Sequence, residues 1–167
     1  MLALFLADAD VTESLGRTLG VHARPGSFVA LHGDLGAGKT SLARGIARGL
    51  GVTGPVPSPT YTLVSVYDDV PIPLAHADWY RLADLDELEQ LGWDDLVDGH
   101  GVVVVEWPSQ VPEALPDDRL DVHLCDTAAP DGTLARSARL EAHGPRHTGL
   151  LDAARAWAAS RGLAGSP

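Results

Sequence analysis

This sequence of 167 residues has one lysine, one cysteine and far too little positive charge for its negative charge. One cysteine, Cys125, permits no internal disulfide and suits a reducing compartment. It lies in a strand pattern, where a small apolar residue buried in the core is expected. The net charge of −11 argues against a free-standing nucleic-acid binder, which needs a basic stripe to displace counterions from phosphates. No apolar run approaches the roughly 20 residues of a membrane span. The apolar start Met1–Ala7 has no basic flank and runs into Asp8 and Asp10, so it reads as a first strand and not as a signal peptide. The seven histidines show no metal-ligand spacing and read as incidental. No serine–histidine–aspartate arrangement can be inferred.

The lysine shortage is the most informative absence. Eleven of the twelve basic residues are arginine, and the one lysine is Lys39. Such a chain keeps an ammonium where a compact, flexible charge is needed and a planar guanidinium will not serve. Lys39 lies within Gly33-Asp34-Leu35-Gly36-Ala37-Gly38-Lys39-Thr40, a complete G-x-x-x-x-G-K-[ST] pattern. Its glycines allow the backbone to wrap round phosphates, and successive N–H groups form an anion nest at a helix start. Lys39 is then the ligand of the β- and γ-phosphates, and the Thr40 hydroxyl is a hard oxygen suited to Mg²⁺.

The surroundings fit. Asp10 as N-cap with Glu13 three residues on predicts a helix carrying Val11, Leu15 and Leu19, ended by Pro25-Gly26. Ser27–His32 reads as a buried strand, and Leu42, Ile46 and Leu50 mark a helix from Lys39 that closes at Gly51. Three prolines punctuate the loop before a strand-like Tyr61–Tyr67, and Leu74–His76 is expected to pair back as a hairpin. Residues 83–98 read as an acidic, roughly helical stretch, its many acids forming a solvated face. Four valines, Val102–Val105, predict a strand covered on both faces. Leu120–Leu124 and Arg139–Ala142 read as strands, residues 148–161 as a terminal helix and 162–167 as a frayed tail. With no repeats and no linker, residues 1–167 read as one domain.

A phosphate site of this kind needs a carboxylate to hold Mg²⁺ and orient water. Glu106 follows the valines at a strand end, where ligands of open α/β sheets bind. Asp78 is the second candidate, and spacing alone leaves its role open, as it leaves open which acid touches the metal. Thr60 and Thr62 suit either a switch loop or hydroxyls that stabilise a turn.

The phosphate motif, Ser58-Pro59-Thr60-Tyr61-Thr62-Leu63-Val64, His76-Ala77-Asp78-Trp79-Tyr80-Arg81-Leu82 and Val105-Glu106-Trp107-Pro108 occur in the order found in the TsaE (YjeE) family, which the chain resembles over about residues 10–145. That resemblance implies a three-layer α/β P-loop fold with a mixed, partly antiparallel sheet. It implies a cytoplasmic Mg²⁺-dependent ATPase supporting threonylcarbamoyladenosine formation in tRNA beside TsaB and TsaD, as a motor or reset switch, with tRNA met only through the partners. Site residues carried over are Lys39 for phosphate, Thr40 and Glu106 for Mg²⁺ and Asp78 for catalysis. Residues 33–41, ending at Ser41, would line the nucleotide. Thr60 and Thr62 would close over it, with Thr12 near the base and Arg136 as a nucleotide contact against which Arg139 competes. Trp107 would border the site or the partner surface. Ser41 stands where threonine is usual, Ala77 and Trp79 alter the neighbours of Asp78, and Ala135 replaces a glycine that often precedes the arginine. Competing readings are a small-molecule kinase, for which the arginine-bearing lid is missing because only Arg81 lies between residues 49 and 118, and a nucleotide-loaded switch with negligible catalysis.

Overall fold

A computed structural model describes residues 1–129 and 131–163. In chain order the elements are β1 (Leu2–Leu6), α1 (Ala9–His22), β2 (Phe28–His32), α2 (Lys39–Leu50), β3 (Val64–Tyr67), β4 (Leu74–Asp78), α3 (Leu85–Gln90), α4 (Trp93–Leu96), β5 (Val102–Glu106), β6 (Arg119–Ala128), β7 (Leu134–His143) and α5 (Thr148–Ser160). The described residues form a seven-stranded sheet in the order β1-β7-β6-β2-β5-β4-β3. The inner strands β6, β2, β5 and β4 run parallel. β1, β7 and β3 join antiparallel at the flanks. The sheet is therefore mixed, as expected, and the β3–β4 hairpin is present.

Alternation along the strands builds two cores. Leu4, Leu6, Val29, Leu31, Val102, Val104, Leu120, Val122, Leu124 and Leu140 face α1, α2 and α5. Phe28, Ala30, Ala75, Ala77, Val103 and Val105 face Leu88 of α3, Trp93 of α4 and Val111. The four valines thus divide between the two faces, which is why they need no polar partner residue. Helix–sheet–helix layering follows. None of the described helices is long and apolar enough to cross a membrane.

Several boundaries differ from the sequence expectations. The N-cap of α1 is Asp8 and not Asp10: the Asp8 carboxylate accepts from Val11 N at 2.8 Å, which leaves Asp10 inside the first turn. Gly92, at φ 73°, splits the acidic stretch into α3 and α4. β3 starts only at Val64, because Leu63 is left-handed at φ 63° and closes a turn onto Pro59 O. β6 and β7 each run ten residues and form a ribbon longer than the core beneath them. That length exposes Cys125, which is not the buried apolar residue its strand pattern suggests. The terminal helix spans Thr148–Ser160, and residues 164–167 of the expected tail lie outside the described residues.

Two helices approach unusually closely. A Cβ on Gly16 would stand 2.3 Å from Leu42 O, and one on Gly45 would stand 2.2 Å from Glu13 O. Gly20 and Gly49 repeat the arrangement one turn on. This glycine seam lets α1 lie directly against α2 and brings the start of α1 to the glycine turn. Histidine is not incidental either. Buried His147 accepts from Phe28 N at 2.9 Å, so its Nδ1–H donates to Asp118 at 2.8 Å, tying the start of α5 to the start of β2.

Candidate functional site

The glycine turn leaves the C-terminal end of β2 and enters α2. Gly33 is held at φ 141° with no room for a side chain, since a Cβ would lie 2.4 Å from Leu124 O. Gly38 is the α2 N-cap at φ 103°, and it brings no side chain to cap the helix. The first N–H groups of α2 consequently face the turn, with the positive end of the helix dipole behind them. Lys39 folds back into this ring. Its Nζ donates to Gly33 O at 2.6 Å and Asp34 O at 2.7 Å and sits 3.8 Å from the Trp107 ring centroid. Burial lowers the Lys39 pKa, against the opposing charges of Glu106, Asp78 and Asp34.

β4 and β5 deliver the carboxylates side by side, with Asp78 in register with Glu106. Thr40 Oγ1 lies 3.0 Å from both Glu106 oxygens. Asp78 accepts from Thr60 Oγ1 at 2.7 Å and from Tyr80 N at 2.9 Å. Both acids are buried, Asp78 at 3% and Glu106 at 2% exposure, although among the described residues no lysine or arginine forms an ion pair with either. These groups converge on a cavity of about 200 Å³ lined by the turn, Ser41, Ser58, Thr60, both acids and Trp107. A larger open hollow of about 650 Å³ beside Asp10, Arg17 and Arg48 is lined by neither strand-end acid nor by the glycine turn. Of the two left-handed residues other than glycine among those described, Trp107 lines this cavity and Leu63 O accepts from Asp78 N at 2.9 Å. Such strain persists where the surrounding structure imposes it, and it clusters at functional sites.

The remaining expected residues divide. Buried Thr12 donates to Asp8 O at 2.9 Å, and its methyl lies 3.7 Å from where a Gly38 Cβ would be. The Arg136 Cδ and Nε lie 3.3 Å from that same point, and its buried Nε has no partner among the described residues. An orphan donor beside an anion nest suits a phosphate oxygen. Arg139 is on the opposite face of β7, paired at 3.6 Å with Glu141. Thr62 is exposed and, unlike Thr60, is not drawn onto Asp78. Asp34, Leu35 and Gly36 form the exposed tip of the turn, and Ala37 is buried under it.

His76 is the residue that sequence reasoning missed. It is fully buried, with Nε2 2.9 Å from Glu106 Oε1. Because a carboxylate oxygen accepts, Nε2 carries the proton, while Nδ1 is buried without a partner among the described residues. Its signal was available: His76 stands two residues before Asp78, so both project from one face of β4. Ser58 was likewise overlooked; its Oγ lies 2.7 Å from Thr60 Oγ1.

Sheet order, glycine turn, helix start and strand-end carboxylates together define an α/β fold of the P-loop type. A family profile described as "Threonylcarbamoyl adenosine biosynthesis protein TsaE" matches residues 6–134. The chain belongs to the TsaE family. It is 44% identical over 111 residues to the tRNA threonylcarbamoyladenosine biosynthesis protein TsaE of Bacillus subtilis, covering 66% of this chain and 69% of that one. The protein of the same name in Streptomyces coelicolor is 46% identical over 116 residues, covering 67% and 77%. A crystal structure of YdiB from Bacillus subtilis superposes with a TM-score of 0.77 at 32% identity, over 92% of this chain and 93% of that one.

Proposed function

We propose that the chain is a cytoplasmic Mg²⁺-dependent ATPase that supports threonylcarbamoyladenosine formation in tRNA, working with TsaB and TsaD as a motor or reset switch. The observation that carries this reading is the convergence of Lys39, the Thr40–Glu106 pair and Asp78 on one small cavity at the end of the parallel strands. The pathway assignment rests on the family and on the names its members carry.

The donor set suits the ligands. Thr40 and Glu106 offer hard oxygens 3.0 Å apart, appropriate to Mg²⁺. Bound there, the ion would neutralise charge on the phosphates. Lys39, now donating to two backbone carbonyls, would exchange them for the β- and γ-phosphate oxygens. N–H groups of residues 33–41 would cradle the phosphates, Arg136 would donate its unpartnered Nε, and Thr12 would border the nucleotide. Asp78, held by Thr60 and Tyr80 N, would orient the attacking water. Oxygen of that water bonds to the γ-phosphorus, the bond to ADP breaks, and phosphate, ADP and one proton leave. Thr60 would respond to the nucleotide through its bond to Asp78, with Thr62 carried on the same loop. At −11, the chain itself is ill suited to tRNA, so the partners would hold it.

Phosphate release from ATP tests the reading, measured with and without Mg²⁺ and with and without the TsaB–TsaD pair of the same organism. Release that needs Mg²⁺, rises with the pair and disappears in Lys39→Ala is expected. Release indifferent to the pair would remove the pathway role, and none under any condition would remove the ATPase.

A further inference from the structure

A second cluster of ligand-type side chains lies on the sheet face opposite α1 and α2. The core beneath α3 and α4 ends at β2, so among the described residues no β6 or β7 side chain joins it. That open face carries Arg119, Asp121 and His123 on β6, Arg139, Glu141 and His143 on β7, and His32 at the end of β2. His32 is in register with His123, and their rings stack at 4.2 Å between centroids and 15° between planes. Asp121 precedes His123 by two residues on the same face and is 5% exposed. One ligand atom from each of His32, Asp121 and His123 lies within 4.8 Å of the other two.

We propose that His32, Asp121 and His123 bind one zinc-class divalent cation. Zn²⁺ bound by nitrogen and oxygen at about 2.0–2.2 Å in a tetrahedron sets neighbouring ligand atoms roughly 3.4 Å apart. His32 Nε2 and Asp121 Oδ1 already stand 3.2 Å apart, so the metal replaces the proton between them with little movement. Rotating the His123 ring off its stack brings in the third ligand, and the fourth position faces solvent. The carboxylate is held in place by neighbours, as ligands of metal sites generally are. Arg119 donates to it from Nε at 2.9 Å and from Nη2 at 3.1 Å, and His143 Nε2 lies 2.9 Å from Oδ2. Burial opposes ionisation of Asp121, but hydrogen bonds from His32 and Arg119 outweigh it and hold its pKa well below the usual carboxylate range. Glu141, opposite Asp121 in register, pairs with Arg139 at 3.6 Å. Burial, then the charges of His32 and Arg139, lower the His123 pKa and favour the neutral imidazole that a metal requires.

Two imidazoles and one carboxylate select zinc over magnesium, which prefers oxygen donors. The site is therefore distinct from the Thr40–Glu106 pair. It is still adjacent, since His32 directly precedes Gly33, and the ion would brace β2 against β6 at the foot of the phosphate turn.

The test is calorimetric titration of chelator-stripped full-length protein with ZnCl₂ in excess Mg²⁺. One Zn²⁺ per chain is expected, with affinity falling about tenfold or more in His123→Gln and Asp121→Asn. His100→Gln, which alters a side chain 87% exposed elsewhere, should bind as the wild type does. Equal zinc affinity in wild type and His123→Gln, or no stoichiometric binding in wild type, would overturn the proposal. If His123→Gln does not fold, the Co²⁺ absorption of wild type decides. An intense tetrahedral spectrum supports the site, and the weak spectrum of octahedral Co²⁺ refutes it.

Discussion

At the residue scale, the Glu106 carboxylate is the junction of the proposed magnesium site. It meets the Thr40 hydroxyl on one side and buried His76 on the other. His76→Phe would remove the imidazole donor and leave Glu106 held by Thr40 alone. We expect the Mg²⁺ concentration that half-saturates hydrolysis to rise about 10–100-fold, the usual cost of losing a partner of a metal ligand. His76→Gln can place an amide N–H near the Nε2 position and should restore most of that loss. A steady-state Mg²⁺ titration checks both, and equal half-saturation in all three proteins would contradict the role. Lys39→Arg should also fail despite keeping the charge, because a guanidinium fits poorly inside a ring closed by Gly33 O and Asp34 O. Removing a donor of this kind costs about 10²–10³ in turnover, read from initial rates. Lys39, Thr40 and Glu106 were legible because the motif is local and a strand end is predictable. His76 was not, because its importance lies in a contact with a residue 30 positions away. Arg136 and Arg139 competed in the sequence because the strand was expected only from Arg139, whereas β7 begins at Leu134 and turns the two to opposite faces.

At the element scale, the hydrophobic periodicity located most helices and strands, but not the device that sets α1 against α2. Gly16, Gly20, Gly45 and Gly49 repeat at four-residue spacing, yet glycine contributes nothing to an apolar face and so leaves no mark on that pattern. Their role appears only where a Cβ would meet the opposing backbone. Gly45→Ala should therefore destabilise the fold by about 1–3 kcal/mol or more despite alanine's better helix propensity. Denaturant unfolding measures this, and a neutral or stabilised variant would show that the seam has slack. Because the same approach carries Thr12 to Gly38, ATP affinity should fall with stability, whereas exposed Gly149→Ala in α5 should change neither appreciably. The helix cap was misread for a related reason: Asp8 and Asp10 both suit a cap, and only the backbone geometry selects Asp8. Gly92 and Leu63 interrupt their segments through left-handed backbone, which periodicity does not register.

At the scale of the whole molecule, the fold class was legible from a strand, a phosphate motif and a helix in succession. The order β1-β7-β6-β2-β5-β4-β3 was not, because it depends on pairings between strands distant in sequence. Overall charge belongs to this scale as well. A chain at −11 repels a polyphosphate at range, so the isolated protein should show no tRNA retention in filter binding at physiological salt. Retention should appear when TsaB and TsaD are added, and tight binding by the chain alone would contradict an indirect role. The central claim, however, is that Gly33–Thr40 and the strand-end acids form one Mg²⁺–ATP site. Calorimetric titration of ATP into the full-length protein tests it most directly, with Mg²⁺ and with chelator, for wild type and Lys39→Ala. Saturable 1:1 binding that weakens without Mg²⁺ and is lost in Lys39→Ala is the expected result. ATP affinity unchanged by Lys39→Ala would contradict the account.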